Sequence, residues 1–264
     1  MSQRVNILGV GVSATNMADA TSKIITGVVE TGQVSYVTVT GAHGIIESTK
    51  SDSLREIHND SYLTVPDGVP TVWVGKIYGH KDMERVYGPD LMASIFRQGE
   101  ASAQKFRHFL WGASTAVVVK LRDSLLKKYP NADIVGVISP PYRDLNSEEK
   151  RELLAKINDS EPHFFWVGLS TPKQEKFMHG FLKEYRDSLD FVDKKKGFMM
   201  LGVGAAFDFH AGELKQAPSL LQNMGLEWLF RLLVEPKRLW RRYFRVVPMF
   251  MYKVIMQISG LKKY

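Results

Sequence analysis

The sequence predicts an α/β fold, in which helices flank a parallel β-sheet, and two observations support this prediction. Short β-branched or apolar runs alternate along the chain with stretches whose apolar residues recur at helical spacing. Several of the apolar runs end in glycine or serine just before a helical stretch. Strands that alternate with helices pair in parallel and bind ligands in the crevice at their carboxyl ends. We therefore expect a Rossmann-like parallel sheet flanked by helices, with a site at that edge.

The predicted elements follow one another along the chain without an internal repeat or an evident linker. The predicted strands are VNILGV at 5–10, VSYVTVT at 34–40, LTVP at 63–66, FRHFLWGAS at 106–114, ADIVGVIS at 132–139, HFFWVGLS at 163–170 and GFMMLGVGAAFDF at 197–209. The predicted helices cover 17–30, 42–51, 115–128, 147–158 and 173–185. Glycines at strand ends let backbone N–H groups approach a phosphate-bearing ligand, although a single glycine there is more often only a tight turn.

The last part of the chain predicts a C-terminal amphipathic helical appendage, residues 225–264, following an α/β domain of residues 1–224. Residues 231–264 hold nine Lys or Arg and one acid, a net charge of +8, whereas residues 1–230 carry −1. Helical spacing from Leu226 to Phe244 is interrupted at Pro236. The apolar segment 248–261 predicts a further amphipathic helix, too short and too interrupted to cross about 30 Å of hydrocarbon.

An anionic membrane surface is the partner that we expect for this appendage, because it mixes cations with aromatic side chains. Trp240, Tyr243, Phe250 and Tyr252 would lie at the lipid headgroup layer. A nucleic-acid binder would more often spread its cations over the folded face, so no nucleic-acid partner is expected. The alternative is a C-terminal helix packed on the protein's own core. Self-association through such a tail is also possible from the sequence.

Two features of the composition bear on the compartment. The chain has no cysteine, which excludes disulfides and thiolate chemistry and fits a reducing environment. The stretch MSQRVNILGVGVSA lacks the long apolar run of a secretory signal and predicts a first β-strand instead. We therefore expect a cytoplasmic protein.

Two charged residues in the segment 63–92, Asp67 and Arg85, are candidates for catalysis or substrate binding. Asp67 follows an apolar strand and precedes Gly68, so its carboxylate is expected at a strand end, where it can take a proton from a hydroxyl. The alternative is an Asx-turn with Gly68. Arg85 precedes Gly88 and Asp90 in RVYGPD; it either faces a phosphate or lies on the surface, with Asp90 as a helix N-cap.

Ordered motifs over nearly the whole chain resemble those of the WecG/TagA/CpsF family of bacterial glycosyltransferases. They are VTVTGAHGIIES, VPDGVPTVWVGKIYGHKDMERVYGPDLM, FLWGAS, VGVISPPYRDLNSEE, VGLSTPKQEKFM and GVGAAFDFHAGELKQAPSLLQNMGLEWLFRLLVEPKRLWRRYF. The resemblance implies an inverting transfer of a hexose from a UDP-sugar to a polyprenyl-diphosphate-linked sugar. The product would enter teichoic acid, common antigen, capsule or exopolysaccharide synthesis. It also implies a position on the inner face of the bacterial cell membrane.

The resemblance further implies a role for particular residues. Asp67 matches the family's proposed general base, and Arg85 matches the arginine before the G-x-D-L sequence. Thr38 matches a pocket threonine, and Thr40 stands where the family has asparagine. The other substrate-binding residues implied are Ser170, Lys173 and Gln174, which match the family's S-P-K-Q-E motif, and Arg231, Arg238 and Arg241 in the tail, which would close over the diphosphate.

No cofactor is expected, and transfer is expected to be independent of a metal. The chain has no D-x-D sequence, and arginines with helix N-termini can instead stabilise the charge that grows on the leaving diphosphate. Two other classes are weighed against a transferase. A dinucleotide-dependent oxidoreductase would need G-x-G-x-x-G, which neither GVGVSA nor LGVGAAFDF provides. A non-catalytic basic membrane adaptor would leave Asp67 and Ser170–Gln174 unexplained.

Overall fold

A computed structural model describes residues 3–102, 105–192, 196–218, 221 and 227–264, without the side chains of 227, 228, 231, 238 and 242. The strands are β1 Arg4–Ile7, β2 Val10–Ser13, β3 Val34–Thr40, β4 Leu63–Pro66, β5 Arg107–Gly112, β6 Asp133–Ile138, β7 Phe164–Gly168 and β8 Phe198–Gly202. The helices are α1 Met17–Val29, α2 Ala42–Ser48, α3 Asp52–Asp60, α4 Val69–Ile77, α5 Gly88–Ala101, α6 Thr115–Lys128, α7 Ser147–Ser160, α8 Lys173–Tyr185, α9 Ala206–His210, α10 Glu227–Val234 and α11 Pro236–Ile258.

A six-stranded sheet lies at the centre of the described residues, in the order β4-β3-β8-β7-β5-β6. Every strand pair in it is parallel, and helices connect its successive strands. The carboxyl ends of β3, β4, β7 and β8 therefore come together at one edge. This arrangement confirms the predicted α/β, Rossmann-like fold, in which that edge positions the site.

Alternate residues of the strands build the two sides of the core, as the period of a buried strand requires. Val37, Leu110 and Trp166 point to one side and pack in the same cluster as buried residues of α1, α5 and α6. Tyr36 and Phe165 belong to the cluster on the other side, with buried residues of α7 and α8. Both faces are covered by helices, which is why apolar side chains point to both sides of these strands.

The N-terminal segment differs from the prediction. VNILGV is not one strand of the parallel sheet: β1 and β2 form a separate antiparallel hairpin. Leu8 and Gly9 in the turn have φ of 53° and 88°. Two successive positive φ values are typical of the tight turn that joins two antiparallel strands, so the glycine permits the reversal.

The C-terminal segment forms one helix across Pro248, where the sequence predicted a separate helix beginning near that residue. A proline inside a helix removes one backbone hydrogen bond, and Pro248 lies on the exposed side, where water can satisfy the lost partner. The interruption predicted at Pro236 is confirmed, because α10 ends at Val234 and α11 begins at Pro236. Among the described residues, no helix is both long and apolar enough to cross a membrane.

One side of α11 packs on the body of the protein. Val246, Phe250 and Val254 are buried in a cluster with the β1–β2 hairpin and α2. Gln257 accepts a hydrogen bond from the backbone N–H of Leu8 at 2.7 Å and donates to the Asn6 carbonyl at 2.8 Å. The expectation that Phe250 lies at a lipid headgroup layer is therefore wrong, since its ring is almost fully buried. The boundary predicted between 224 and 225 lies outside the described residues.

Candidate active site

Asp67 lies at the carboxyl end of β4, held by the backbone of the neighbouring strand. Its N–H donates to the Thr40 carbonyl at 2.8 Å, which continues the β3–β4 pairing by one residue. A Cβ atom on Gly41 would lie 2.2 Å from the Asp67 carbonyl oxygen, so the close approach of the two backbone segments at Gly41 and Asp67 requires glycine. Gly68 has φ of 110° and begins the turn into α4. The side chain of Asp67 is 36% exposed, so a substrate hydroxyl can reach it.

Arg85 is the cation beside this carboxylate. Its Nε atom lies 3.7 Å from Asp67 Oδ1, and its guanidinium stacks 4.1 Å from the centre of the Tyr87 ring. The Tyr87 ring in turn packs edge-on to Phe209 at 5.9 Å. Because the stacked ring fixes the plane of the guanidinium, Arg85 is held at the site rather than extended into solvent.

The segment that carries Arg85 crosses the strand ends from β4 to β8. The N–H of Val86 donates to the Pro66 carbonyl at 2.8 Å, and the added Cβ of Gly88 would lie 3.0 Å from the Val203 carbonyl oxygen. Helix α5 begins at Gly88, and its N-cap Tyr87 makes no side-chain capping hydrogen bond. Helix α5 therefore begins at this edge, where the positive end of its dipole favours an anion.

Gln174, the second residue of α8, connects the start of this helix to the end of β8. Its Nε2 donates to the Gly202 carbonyl at 3.2 Å, and its Oε1 accepts from the N–H of Gly204 at 3.1 Å. The side chain is buried, so it fixes the turn after β8 rather than facing solvent. Ser170 and Lys173 are exposed in front of it, and the Lys173 ammonium lies 4.7 Å from the Tyr142 ring centre.

Glu175, the next residue, is a fully buried carboxyl group. Oε1 accepts hydrogen bonds from Thr171 Oγ1 at 2.8 Å and from Gln174 Nε2 at 3.1 Å, whereas Oε2 has no partner among the described residues. Burial raises the pKa of the Glu175 carboxyl. Burial therefore disfavours a negative charge on Glu175 beneath the site.

Thr38 and Thr40 lie below the site rather than on its surface. Both are buried, with Oγ1 of Thr38 3.0 Å from His58 Nδ1 and Oγ1 of Thr40 3.4 Å from His58 Nε2. Burial, with the charge of Arg4 acting in the same direction, lowers the pKa of His58 to about 4. A neutral imidazole thus joins the two hydroxyls, while the Thr40 carbonyl holds Asp67. Their contact with a substrate stays a prediction.

Of the three tail arginines, the structure describes the side chain of Arg241 alone. The side chains of Arg231 and Arg238 lie outside the described residues. Arg241 is exposed on α11, with its guanidinium carbon 5.4 Å from the Trp240 ring centre. The described contacts join Asp67 to Arg85, Arg85 to Tyr87, and the end of β8 to Gln174. They do not extend to Arg241.

The sequence matches the profile of the glycosyl transferase WecG/TagA/CpsF family over residues 5–264, which include every element of this edge. The chain belongs to this family. It is 30% identical over 196 residues to the N-acetylglucosaminyldiphosphoundecaprenol N-acetyl-beta-D-mannosaminyltransferase of Bacillus spizizenii, covering 74% of this chain and 69% of that protein. It is 27% identical over 261 residues to the protein of the same name from Staphylococcus aureus, covering 98% and 95%.

Membership of the glycosyl transferase family favours the transferase hypothesis over the oxidoreductase and the adaptor. Four residues at the family's strand-end edge were not singled out from the sequence: Gly41, His58, Tyr87 and Glu175. His58 had a local signal, because it follows Leu54 by four residues and therefore lies on the buried face of an amphipathic helix. Gly41 depends on its contact with Asp67, and Tyr87 on its contact with Phe209, which no local pattern reveals. Glu175 contacts its own neighbours Thr171 and Gln174, and only the packed structure shows that it is buried.

Proposed function

We propose that this protein is an inverting hexosyltransferase that moves a sugar from a UDP-sugar to a polyprenyl-diphosphate-linked sugar on the inner face of the bacterial membrane. The observation that carries the proposal is a partly exposed carboxylate, Asp67, at a strand end beside Arg85. The names of the relatives support a lipid-linked acceptor, since they specify an undecaprenyl diphosphate. N-acetyl-β-D-mannosamine, which the same names specify, is the first sugar to test.

The proposed reaction is a single displacement. The acceptor hydroxyl oxygen bonds to the anomeric carbon while the bond from that carbon to the diphosphate oxygen breaks, which inverts the anomeric configuration. Asp67 takes the hydroxyl proton, and the bonding electrons leave with UDP. Arg85 and the first N–H groups of α5 would stabilise the charge that develops on the diphosphate. Ser170 and Lys173 would contact the donor, and Gln174 would hold the turn that receives it.

The proposed donor site also includes arginines of the C-terminal tail. Arg231, Arg238 and Arg241 would approach the diphosphate when residues 225–264 dock on an anionic surface. Deleting residues 231–264 is a poor test, because it also removes Val246, Phe250 and Val254 from the core. Single changes of each arginine to glutamine test the same idea without opening the cluster. Transfer that stays within twofold of native in all three variants would exclude the tail from the site.

The decisive experiment measures transfer from a panel of UDP-hexoses to a polyprenyl-diphosphate-linked sugar in vesicles, with and without EDTA. We expect one donor to be used, transfer to persist in EDTA, and Asp67→Asn to lower it at least 100-fold, in the range of general-base contributions. Asp123→Asn is the matched control, because Asp123 is an exposed carboxylate that also pairs with an arginine, Arg122, at 2.7 Å. A native rate in Asp67→Asn would remove Asp67 from the mechanism, and loss of transfer in EDTA would contradict metal independence.

A further inference from the structure

Helix α4, which begins just after Asp67, exposes large apolar side chains. Trp73 is 57% exposed and Ile77, one turn later, is 62% exposed; Tyr78 follows at the end of the helix. Val72 and Val74, on either side of Trp73 around the helix, are buried. Single exposed apolar residues are common on the surface of a soluble protein. A tryptophan and an isoleucine on one helical turn form a larger patch, which indicates an interaction site.

The patch borders the same buried cluster as the C-terminal helix. Val74 of α4 belongs to the cluster that contains Val246 and Phe250 of α11. Helix α11 carries an exposed apolar stripe of its own at helical spacing, composed of Trp240, Phe244, Val247, Met251, Ile255 and Ile258. At about 100° per residue, this stripe lies roughly a quarter-turn or more from the buried side. Two helices thus enclose one cluster and present apolar faces outside it.

The charge around this cluster identifies the partner. Residues 236–264 contain eight Lys or Arg and no Asp or Glu, and Lys76 is exposed on α4 between Trp73 and Ile77. Apolar residues flanked by cations are typical of a helix that lies in the interface of an anionic membrane. A second copy of the chain is a poorer partner, because a two-fold contact would bring the same positive surface against itself.

We propose that α4 is a second membrane-contacting element, which inserts Trp73 and Ile77 into the interfacial layer of an anionic bilayer beside α11. Helix α4 begins at Val69, two residues beyond Asp67; at 1.5 Å per residue, Trp73 lies about 6 Å and Ile77 about 12 Å from Val69 along the helix axis. The helix therefore sets the height of the general base above the lipid, where a lipid-linked acceptor presents its hydroxyl. This consequence rests on the proposed function, whereas the membrane contact itself does not.

Vesicle flotation of the full chain tests the contact without an activity assay. Vesicles of phosphatidylglycerol and phosphatidylcholine are compared with vesicles of phosphatidylcholine alone, using the native chain and Trp73→Ser/Ile77→Ser. We expect about tenfold weaker binding to the anionic vesicles for each side chain removed, hence about 100-fold for the double variant. Leu126→Ser/Val192→Ser is the matched control, because both residues are exposed apolar side chains outside the cluster, and its binding should equal native.

A second measurement places Trp73 directly. Quenching by bromine-labelled lipids is compared between Trp228→Phe/Trp240→Phe and the same chain with Trp73→Phe added, since the other two of the five tryptophans, Trp111 and Trp166, are buried in the core. We expect the quenching to fall when Trp73 is removed. Equal quenching in the two chains, or native vesicle binding by Trp73→Ser/Ile77→Ser, would overturn the proposal. A double variant that changes only the oligomeric state, measured by light scattering, would show that a second copy covers the patch.

The same variants separate this inference from the proposed function. If the membrane contact is right, transfer to a full-length polyprenyl acceptor in vesicles falls more in Trp73→Ser/Ile77→Ser than transfer to a short-chain, water-soluble acceptor. Equal losses on both acceptors would overturn the role assigned to α4. Vesicle binding that depends on Trp73 in a chain that transfers no hexose would support the contact and refute the transferase instead.

Discussion

Replacing Gly41 with alanine should displace Asp67 and slow sugar transfer about 100-fold. The new Cβ atom would lie 2.2 Å from the Asp67 carbonyl oxygen, whereas ordinary contact begins at 3.4 Å. One of the two strand ends must therefore move by about 1.2 Å. A misplacement of about 1 Å in a reacting group costs on the order of 100-fold in rate. Crowding of this kind also costs about 1–3 kcal/mol of stability.

The assay is the single-turnover rate of transfer at saturating donor and acceptor, because a displaced base slows the chemical step more than it weakens binding. Gly180→Ala is the matched control: it makes the same substitution in α8, where an added Cβ meets no atom within 4 Å. Its rate should equal native, and its stability should rise slightly, since alanine favours a helix interior over glycine.

Two outcomes would contradict the expected effect of Gly41→Ala. A Gly41→Ala protein that folds, binds donor normally and transfers within twofold of the native rate would show that the position of Asp67 does not control the reaction. If Gly41→Ala is too unstable to assay, Asp67→Asn tests the same carboxylate without adding an atom to the crowded contact. A native rate in that variant would refute the role of Asp67.

Three further predictions concern buried polar groups: Gln174, the histidines His58 and His108, and Glu175. Gln174→Met should lower the free energy of unfolding by about 1–3 kcal/mol, because the N–H of Gly204 keeps only its longer contact with the Val167 carbonyl at 3.3 Å and the Gly202 carbonyl loses a donor; unchanged urea unfolding would contradict this. Burial lowers the pKa of His58 to about 4 and of His108 to about 3, from 6.5. Since the unfolded chain takes up these protons first as pH falls, stability should be full above about pH 7 and decline below 6.5. The loss should reach about 2 kcal/mol for each histidine by pH 5, and a flat profile of urea unfolding between pH 7 and 5 would refute it. Because burial raises the pKa of Glu175, the native chain should lose stability as pH rises through that pKa; Glu175→Gln should remove this loss, and equal unfolding profiles for the two chains would contradict it.

Much of the fold and part of the candidate site can be predicted from the sequence alone. The parallel sheet and its helices follow from apolar periodicity, which depends only on near neighbours along the chain. Asp67 at a strand end follows from an apolar run before an Asp-Gly pair. The interruption at Pro236 and the positive charge of residues 231–264 are likewise local properties. These features determined the α/β class, the catalytic candidate and the amphipathic tail.

The tertiary structure decided everything that depends on which distant segment a residue meets. The apolar run at residues 5–10 became a hairpin because positive φ at Leu8 and Gly9 turned the chain back. Thr38 and Thr40 face His58, since alternate residues of β3 point toward the side of the sheet that His58 also faces. Phe250 is buried because the hairpin covers one side of α11. Hydrophobic periodicity shows which side of a helix or strand is apolar, but only the packed chain shows whether that side contacts protein, membrane or substrate.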